Sequence, residues 1–331
     1  MHVTLLVAGA LVPAALAEEI ARALDVPRLA ARLARSTLVE EIRAEPPLQG
    51  AAHLAWINPR IFGTEVDAPT APYAFAALSG DRPQSGAQYF HADLVHLGFA
   101  RDHLVVEPLG IAPTSEERGA LREAANAVGA AHGVRFVEIG EAGFMQSALR
   151  WDLATVPLAA ALGGSATALL SSGADAQRWS RLHNEIQMIW HSHPVNVARE
   201  ERGVPTIDGI WLHGGGRWEP LATPPYSAVH SNEPEFRGAA LAVGVNSAHA
   251  DAPAADNSLV IRVEPFVALR EGDWTAWLAA IKQIDTWLAP LGSVTIDLVL
   301  AGRDTVRVRR STPWDRFRRW RAMPLAEAIA E

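Results

Sequence analysis

The chain has 331 residues, 49% of them hydrophobic, enough to bury one large core or two ordinary ones. Its formal charge of −8 argues against general nucleic-acid binding. The absence of cysteine excludes thiol catalysis, thiolate-bound zinc and disulfides. The charge is uneven: residues 303–321 hold eight Arg and two Asp, a local +6.

In chain order, residues 3–17 are apolar and end on Ala15-Leu-Ala17, which imitates a signal-peptide cleavage site. No Lys or Arg precedes them and Pro13 interrupts them, so they read as a buried strand at 3–8, a turn, and a helix from about Ala14. Helices are predicted at 115–131, 175–191 and 273–288. In the second, Trp179, Leu182, Ile186 and Ile189 recur at helical spacing as core residues. In the third, Trp274, Trp277, Leu278, Ile281 and Leu288 do so, with Asp273 as N-cap. Further strands are predicted at 103–106, 134–139, 207–212, 259–263, 294–300 and 305–309. Stretches rich in Pro, Gly and Ala at 65–72, 220–225 and 248–255 read as loops or linkers. The interleaving of strands and helices implies an α/β fold with a mixed, largely parallel sheet. No run of about 20 apolar residues suggests a membrane span, and a cytoplasmic location is expected.

The most informative stretch is His193-Pro-Val-Asn-Val-Ala-Arg199 and the strand that follows it into His213-Gly-Gly-Gly216. Pro194 ends the preceding helix. A His, an Asn and an Arg then fall within seven residues, and glycines after a strand let several backbone N–H groups point at one anion. The expected site is a pocket for a small phosphorylated or carboxylated metabolite. Arg199 supplies its charged, bidentate contact. His193 and Asn196 orient the ligand, and Gly214, Gly215 and Gly216 donate backbone N–H groups. His183 and Asn184 on the helix before complete the ligand-binding set. His183, Gln187 and His191 share a helix face, but a metal site would need a further carboxylate or His. Their expected role is to line a polar pocket. His213-Gly-Gly-Gly216 is also compatible with an esterase oxyanion motif, but no Gly-x-Ser-x-Gly elbow follows it.

The order His-Pro-Val-Asn, Arg, strand and glycines resembles the archaeal-type cofactor-independent phosphoglycerate mutases, metal-dependent members of the alkaline phosphatase superfamily. Together with Asn184-Glu-Ile-Gln-Met188 and Phe90-His-Ala-Asp-Leu-Val-His-Leu97, it resembles more closely a shorter bacterial group, the RpfE-type regulatory proteins. The resemblance implies an alkaline phosphatase-like core with a smaller inserted α+β domain. The core would comprise residues 1–75 and 206–331, the insert residues 76–205. It also implies two divalent ions and a hydroxyl nucleophile, for which the ligand positions are missing here. Val7-Ala8-Gly9 stands where an Asp-Gly pair belongs, and Gln49-Gly50 where a Ser-Asp belongs. Pro265-Phe-Val-Ala-Leu-Arg270 lacks an Asp and a His, and only Asp304 remains of the last Asp-His pair.

The favoured expectation is therefore a protein without catalytic residues, metal or cofactor that acts in regulation and binds a metabolite or a protein partner. Two alternatives stay open. One is an active metal-dependent mutase or phosphatase. The other is an adaptor that binds nucleic acid or an anionic partner through residues 303–321. For that basic segment the expected structure is a terminal helix begun by Thr312-Pro313, with Trp314 and Phe317 packed on the body.

Overall fold

The structure is a computed structural model that describes residues 1–100, 103–164, 171–317 and 322–331. In chain order the elements are β1 (His2–Ala8), α1 (Ala14–Ala23), α2 (Pro27–Arg35), β2 (Thr37–Arg43), α3 (Ala52–Ile61), α4 (Thr70–Ser79), β3 (Gln88–Ala100), β4 (His103–Glu107), α5 (Ser115–Gly129), β5 (Val134–Ile139), β6 (Ala142–Ser147) and α6 (Leu158–Ala161). They continue with α7 (Ala176–His191), α8 (Pro194–Glu201), β7 (Gly209–Arg217), β8 (Ala228–Ser231), α9 (Pro234–Ala242), β9 (Asn246–Ala248), β10 (Ser258–Arg262), α10 (Glu264–Glu271), α11 (Trp274–Trp287), β11 (Thr295–Ala301), β12 (Thr305–Ser311) and α12 (Leu325–Ile329). No helix among the described residues is long and apolar enough to cross a membrane.

The chain forms two compact units. The first comprises Met1–Ile61, Ala222–Glu233 and Ala240–Glu331, the second Phe62–Leu221 and Pro234–Ala239. The second thus reaches beyond the 76–205 span assigned from sequence at both ends, because α4 and β7 belong to it.

The first unit is a seven-stranded sheet in the order β2-β12-β11-β1-β10-β8-β9. Strands β11, β1, β10, β8 and β9 are parallel; β12 and β2 extend the sheet antiparallel at one side. The central strands are apolar almost throughout because both faces are covered, as parallel sheets require. On one face Val3, Leu5, Val7, Leu298 and Leu300 pack with Leu29 and Leu33 of α2 and Trp277, Ile281 and Ile284 of α11. Asp273 caps α11 by accepting from the Ala276 N–H at 2.8 Å. Near the other end of α11, the Asp285 carboxylate is buried at the start of α2. It accepts the N–H groups of Arg28 and Leu29, each at 2.8 Å, where the helix dipole favours an anion.

The second unit is an antiparallel five-stranded sheet, order β4-β3-β6-β5, with β7 also on β3. One face carries Phe90, Ala92, Phe136 and Leu212 against α5 and α7, where Leu121, Leu182, Ile186 and Trp190 complete the core. Ile189, expected there, is on the outer side of α7 and Trp190 takes its place. Helix α5 starts on a capping box: Thr114 accepts the Glu117 N–H, and the Glu117 carboxylate accepts the Thr114 N–H.

Two local expectations are corrected. The strand thought to end at Leu212 runs on through the glycines to Arg217, paired to β3. The terminal helix from Thr312 is a 3-10 turn, Pro313–Phe317, and Trp314 and Phe317 are 75% and 58% exposed instead of packed. The four residues after it, Arg318 to Arg321, lie outside the described residues.

Candidate functional site

The second unit shows what the sequence-selected site residues do. Arg199 on α8 is wholly buried. Its guanidinium donates to the Pro205 carbonyl at 2.8 Å, the Ile111 carbonyl at 2.9 Å and the Glu117 carboxylate at 3.0 Å. Arg202 binds the other oxygen of Glu117. Asn196 is buried as well; its amide donates to the carbonyls of Trp190 and Ile207, and its oxygen accepts the Ile207 N–H, all at 2.9 Å. His193 is the N-cap of α8, its Nδ1 accepting the Val195 N–H at 3.2 Å. The expectation that these three meet a ligand is corrected: they splice α7, α8 and the approach to β7 together.

The glycines are corrected in the same way. A Cβ on Gly214 would stand 2.1 Å from the Thr70 hydroxyl, one on Gly215 2.1 Å from the Phe90 ring, and one on Gly216 2.4 Å from Pro69. They admit close neighbours rather than an anion. His183 Nε2 accepts the Ile210 N–H at 3.1 Å, an approach allowed because residue 209 is glycine. Burial holds its pKa down at about 4, so the ring is the neutral acceptor that this bond needs. Asn184 is exposed on another side of α7.

A different constellation lies at the carboxyl end of the first unit's sheet, where parallel α/β folds place ligands. Ala8 and Ala301 sit side by side at the ends of β1 and β11. Gly9 follows with φ +75°, and its Cα is so close to α10 that a Cβ would be 2.6 Å from the Phe266 backbone. The Phe266 ring lies 4.6 Å from the imidazole of His53 on α3, and the Arg270 guanidinium 5.7 Å from the same phenyl ring. His53 is 4% exposed, and its Nδ1 is buried with no hydrogen-bond partner among the described residues. Burial, then the charge of Arg270, pushes its pKa down to about 3, so His53 is neutral. Burial and the charge of Arg303 hold Arg270 below its ordinary value.

The loop after β11 closes this group. The Gly50 N–H, just before α3, donates to the Arg303 carbonyl at 2.9 Å and to the Asp304 carboxylate at 3.1 Å. Thus Ala8, Gly50 and Asp304 lie at one end of the sheet. Three successive N–H groups, of Arg303, Asp304 and Thr305, point at one carboxylate, that of Glu331, at 2.9, 2.6 and 2.8 Å. Beyond β8 and β10, Arg262 is paired with Asp251 at 2.5 Å and Glu264 at 3.2 Å, and Asn232 donates to Glu264 at 2.9 Å. No group of three or more His, Asp and Glu side chains with a metal-binding arrangement occurs among the described residues.

His53 and Arg270 are not among the site residues expected from the sequence. Both occupy helices next to positions that lack the metal ligands the resemblance implies. A His inside an apolar helix start and an Arg ending an apolar run were the available signals.

Neither a family model nor a curated protein matches the sequence. Among solved structures, the chain is similar to the PH0037 protein from Pyrococcus horikoshii. The TM-score is 0.53 at 12% identity, covering 94% of this chain and 87% of that one. It is also similar to a cofactor-independent phosphoglycerate mutase from Thermoplasma acidophilum, with a TM-score of 0.43 at 14% identity over 100% and 95% of the two chains. At 12% identity the first likeness shows a shared fold and nothing finer.

Proposed function

We propose that this chain is a phosphoglycerate mutase-like protein of the RpfE regulatory type. It binds a small phosphorylated or carboxylated metabolite without turning it over, and it acts in the cytoplasm as a regulatory or accessory protein. The observation that carries the reading is His53: a buried, neutral imidazole with an unpartnered nitrogen, under the charge of Arg270, which in turn feels the charge of Arg303. A buried polar atom without a partner costs free energy unless something fills it. Two neighbouring guanidiniums repel each other until an anion comes between them. With its proton on Nδ1, His53 would donate to such an anion, while the arginines supply charge. The loss of Ser and Asp at 49–50 and of Asp at 8 supports a site that binds without catalysing, since a two-metal phosphoryl transfer needs those ligands and that nucleophile.

Calorimetric titration with inorganic phosphate and with 3-phosphoglycerate tests this reading. Binding is expected to weaken about tenfold in Arg303→Ala, the loss of one charge-assisted contact. Turnover of phosphoglycerate that requires manganese and stops with a chelator would overturn the non-catalytic part.

A second reading, an adaptor for an anionic partner, is favoured by one observation. The Trp314 and Phe317 rings stand 6.2 Å apart, both largely in solvent, in the most arginine-rich part of the sequence. Retention on immobilised heparin that falls steeply with salt, and disappears when residues 312–321 are replaced by Gly and Ser, is its expected signature.

A further inference from the structure

The second unit contains a cavity of about 300 Å³ that the reading above does not use. It arises from the strand pattern. Strand β7 runs along one edge of β3; on the other, β6 pairs with Gln88–His91 and β4 with residues 96–100. Residues 92–95 between them have no second partner strand among the described residues, so the sheet is split there. The side chains around the split are mainly apolar and aromatic: Leu94, Ala125, Phe136, Phe144, Trp190 and Ile210. A volume of this size is at the lower end of small-molecule sites, roughly 300–1,000 Å³.

The charged groups at the cavity are unequal in what they have left to bind. Arg118 and Arg122 are both committed to the Glu138 carboxylate, Arg122 at 2.6 Å. Glu141 is exposed at the rim. Asp93, on the split segment itself, uses Oδ2 to accept from His213 Nε2 at 2.7 Å, and its Oδ1 has no partner among the described residues. The His213 ring is stacked on that of His91, centroids 4.6 Å apart, and His91 is packed 5.4 Å from Phe144. Burial, then the neighbouring His213, holds His91 neutral with a pKa of about 3. Burial alone would raise the Asp93 carboxyl; the hydrogen bond from His213 outweighs it and leaves it below its ordinary value. Asp93 therefore presents to the cavity an ionised carboxylate with one oxygen free among the described residues, beside aromatic rings whose faces attract cations.

We propose that this cavity binds a small organic amine with an aromatic or aliphatic body, its ammonium on Asp93 and its body among Leu94, Phe136, Phe144 and Trp190. The ligand differs in charge from the one proposed for the first unit, so each can fail alone. Three isosteric probes decide the matter by titration of the full-length protein at neutral pH: benzylamine, benzyl alcohol and benzoate. Benzylamine is expected to bind about tenfold or more tightly than benzyl alcohol, and benzoate least, because only the amine gains a charge-assisted bond. In Asp93→Asn, with its fold checked by circular dichroism, the preference for the amine is expected to vanish while benzyl alcohol binds as before. Benzoate binding as well as benzylamine, no binding of any probe up to about 10 mM, or an unchanged preference in folded Asp93→Asn each overturns the proposal. The three-probe series on the unaltered protein decides it even where Asp93→Asn does not fold.

Discussion

The two units handle arginine in opposite ways. In the second, Arg199 is sealed inside and every hydrogen bond it makes goes to the protein's own Pro205, Ile111 and Glu117. In the first, the Arg303 side chain is 80% exposed at a strand end, its ion pair with Asp304 stretched to 3.9 Å. Both follow short apolar stretches and stand near glycines, so their local sequences are alike. What separates them is the partner, and the partner of Arg199 is 82 positions away in the chain. A guanidinium is scaffold where the fold brings it a carboxylate and carbonyls, and available to a ligand where it does not.

The largest expected effect tests the scaffold side. Arg199→Met leaves the half-buried Glu117 carboxylate and two carbonyls short of a donor. Breaking a buried pair in this way costs roughly 3–5 kcal/mol; Arg202, still bound to Glu117, should keep the loss toward the lower figure. Urea unfolding measures it. A variant that unfolds at the same urea concentration as the parent would remove the distinction between the two arginines.

Buried histidines give the next effect, about 2 kcal/mol for one residue over 1.5 pH units. The folded-state pKa of His183, about 4, lies below the ordinary value of 6.5. Between those values the unfolded chain holds more protons, so the stability contributed is complete above pH 6.5 and declines as pH falls toward 4. His91 and His53, each at about 3, act in the same direction. In His183→Gln, whose amide oxygen can still accept the Ile210 N–H, the decline in stability from pH 6.5 to 5 should be shallower by about that amount. Denaturant titrations at the two pH values check it; parallel curves for parent and variant would mean that the ring titrates normally.

A comparable but smaller effect is expected from the glycines. Gly215→Ala in the second unit drives a methyl group into the Phe90 ring and should cost about 1–3 kcal/mol, as overpacking does. Gly292 in the first unit has helical φ and ψ and open space around it, so Gly292→Ala should be neutral or stabilising by up to about 1 kcal/mol. Melting temperatures that move in opposite directions would confirm that only the first glycine is there for close approach.

The same contrast explains what could be read from the sequence. The first unit's parallel strands are continuous apolar runs, and β1, β10 and β11 were legible from them, as was α11 from its spaced aromatics and Asp273. Strand β3 was not, because His91, Asp93 and His96 interrupt its apolar pattern and only the fold shows that it pairs with β4, β6 and β7. The glycines 214–216 fit two physical roles, an anion nest and a close contact, and nothing local chooses between them; Thr70, Phe90 and Pro69 do. His53 could not be singled out because its significance lies in the burial of Nδ1 and the approach of Arg270, both set by tertiary packing.

The smallest stability effect carries the sharpest functional test. Arg303 is mostly solvated, its ion pair with Asp304 is long, and such pairs contribute little. Arg303→Ala should therefore change unfolding free energy by no more than about 0.5 kcal/mol. The same substitution takes away the cation whose charge reaches Arg270 and should weaken phosphate binding about tenfold. It also relieves Arg270 of a like charge, so affinity falls less than the full worth of a salt bridge while the residual binding keeps its dependence on Arg270. A variant that loses stability and affinity together would place Arg303 with Arg199 among the scaffold arginines. One that keeps both would show that the anion site is built from other residues than those at this strand end.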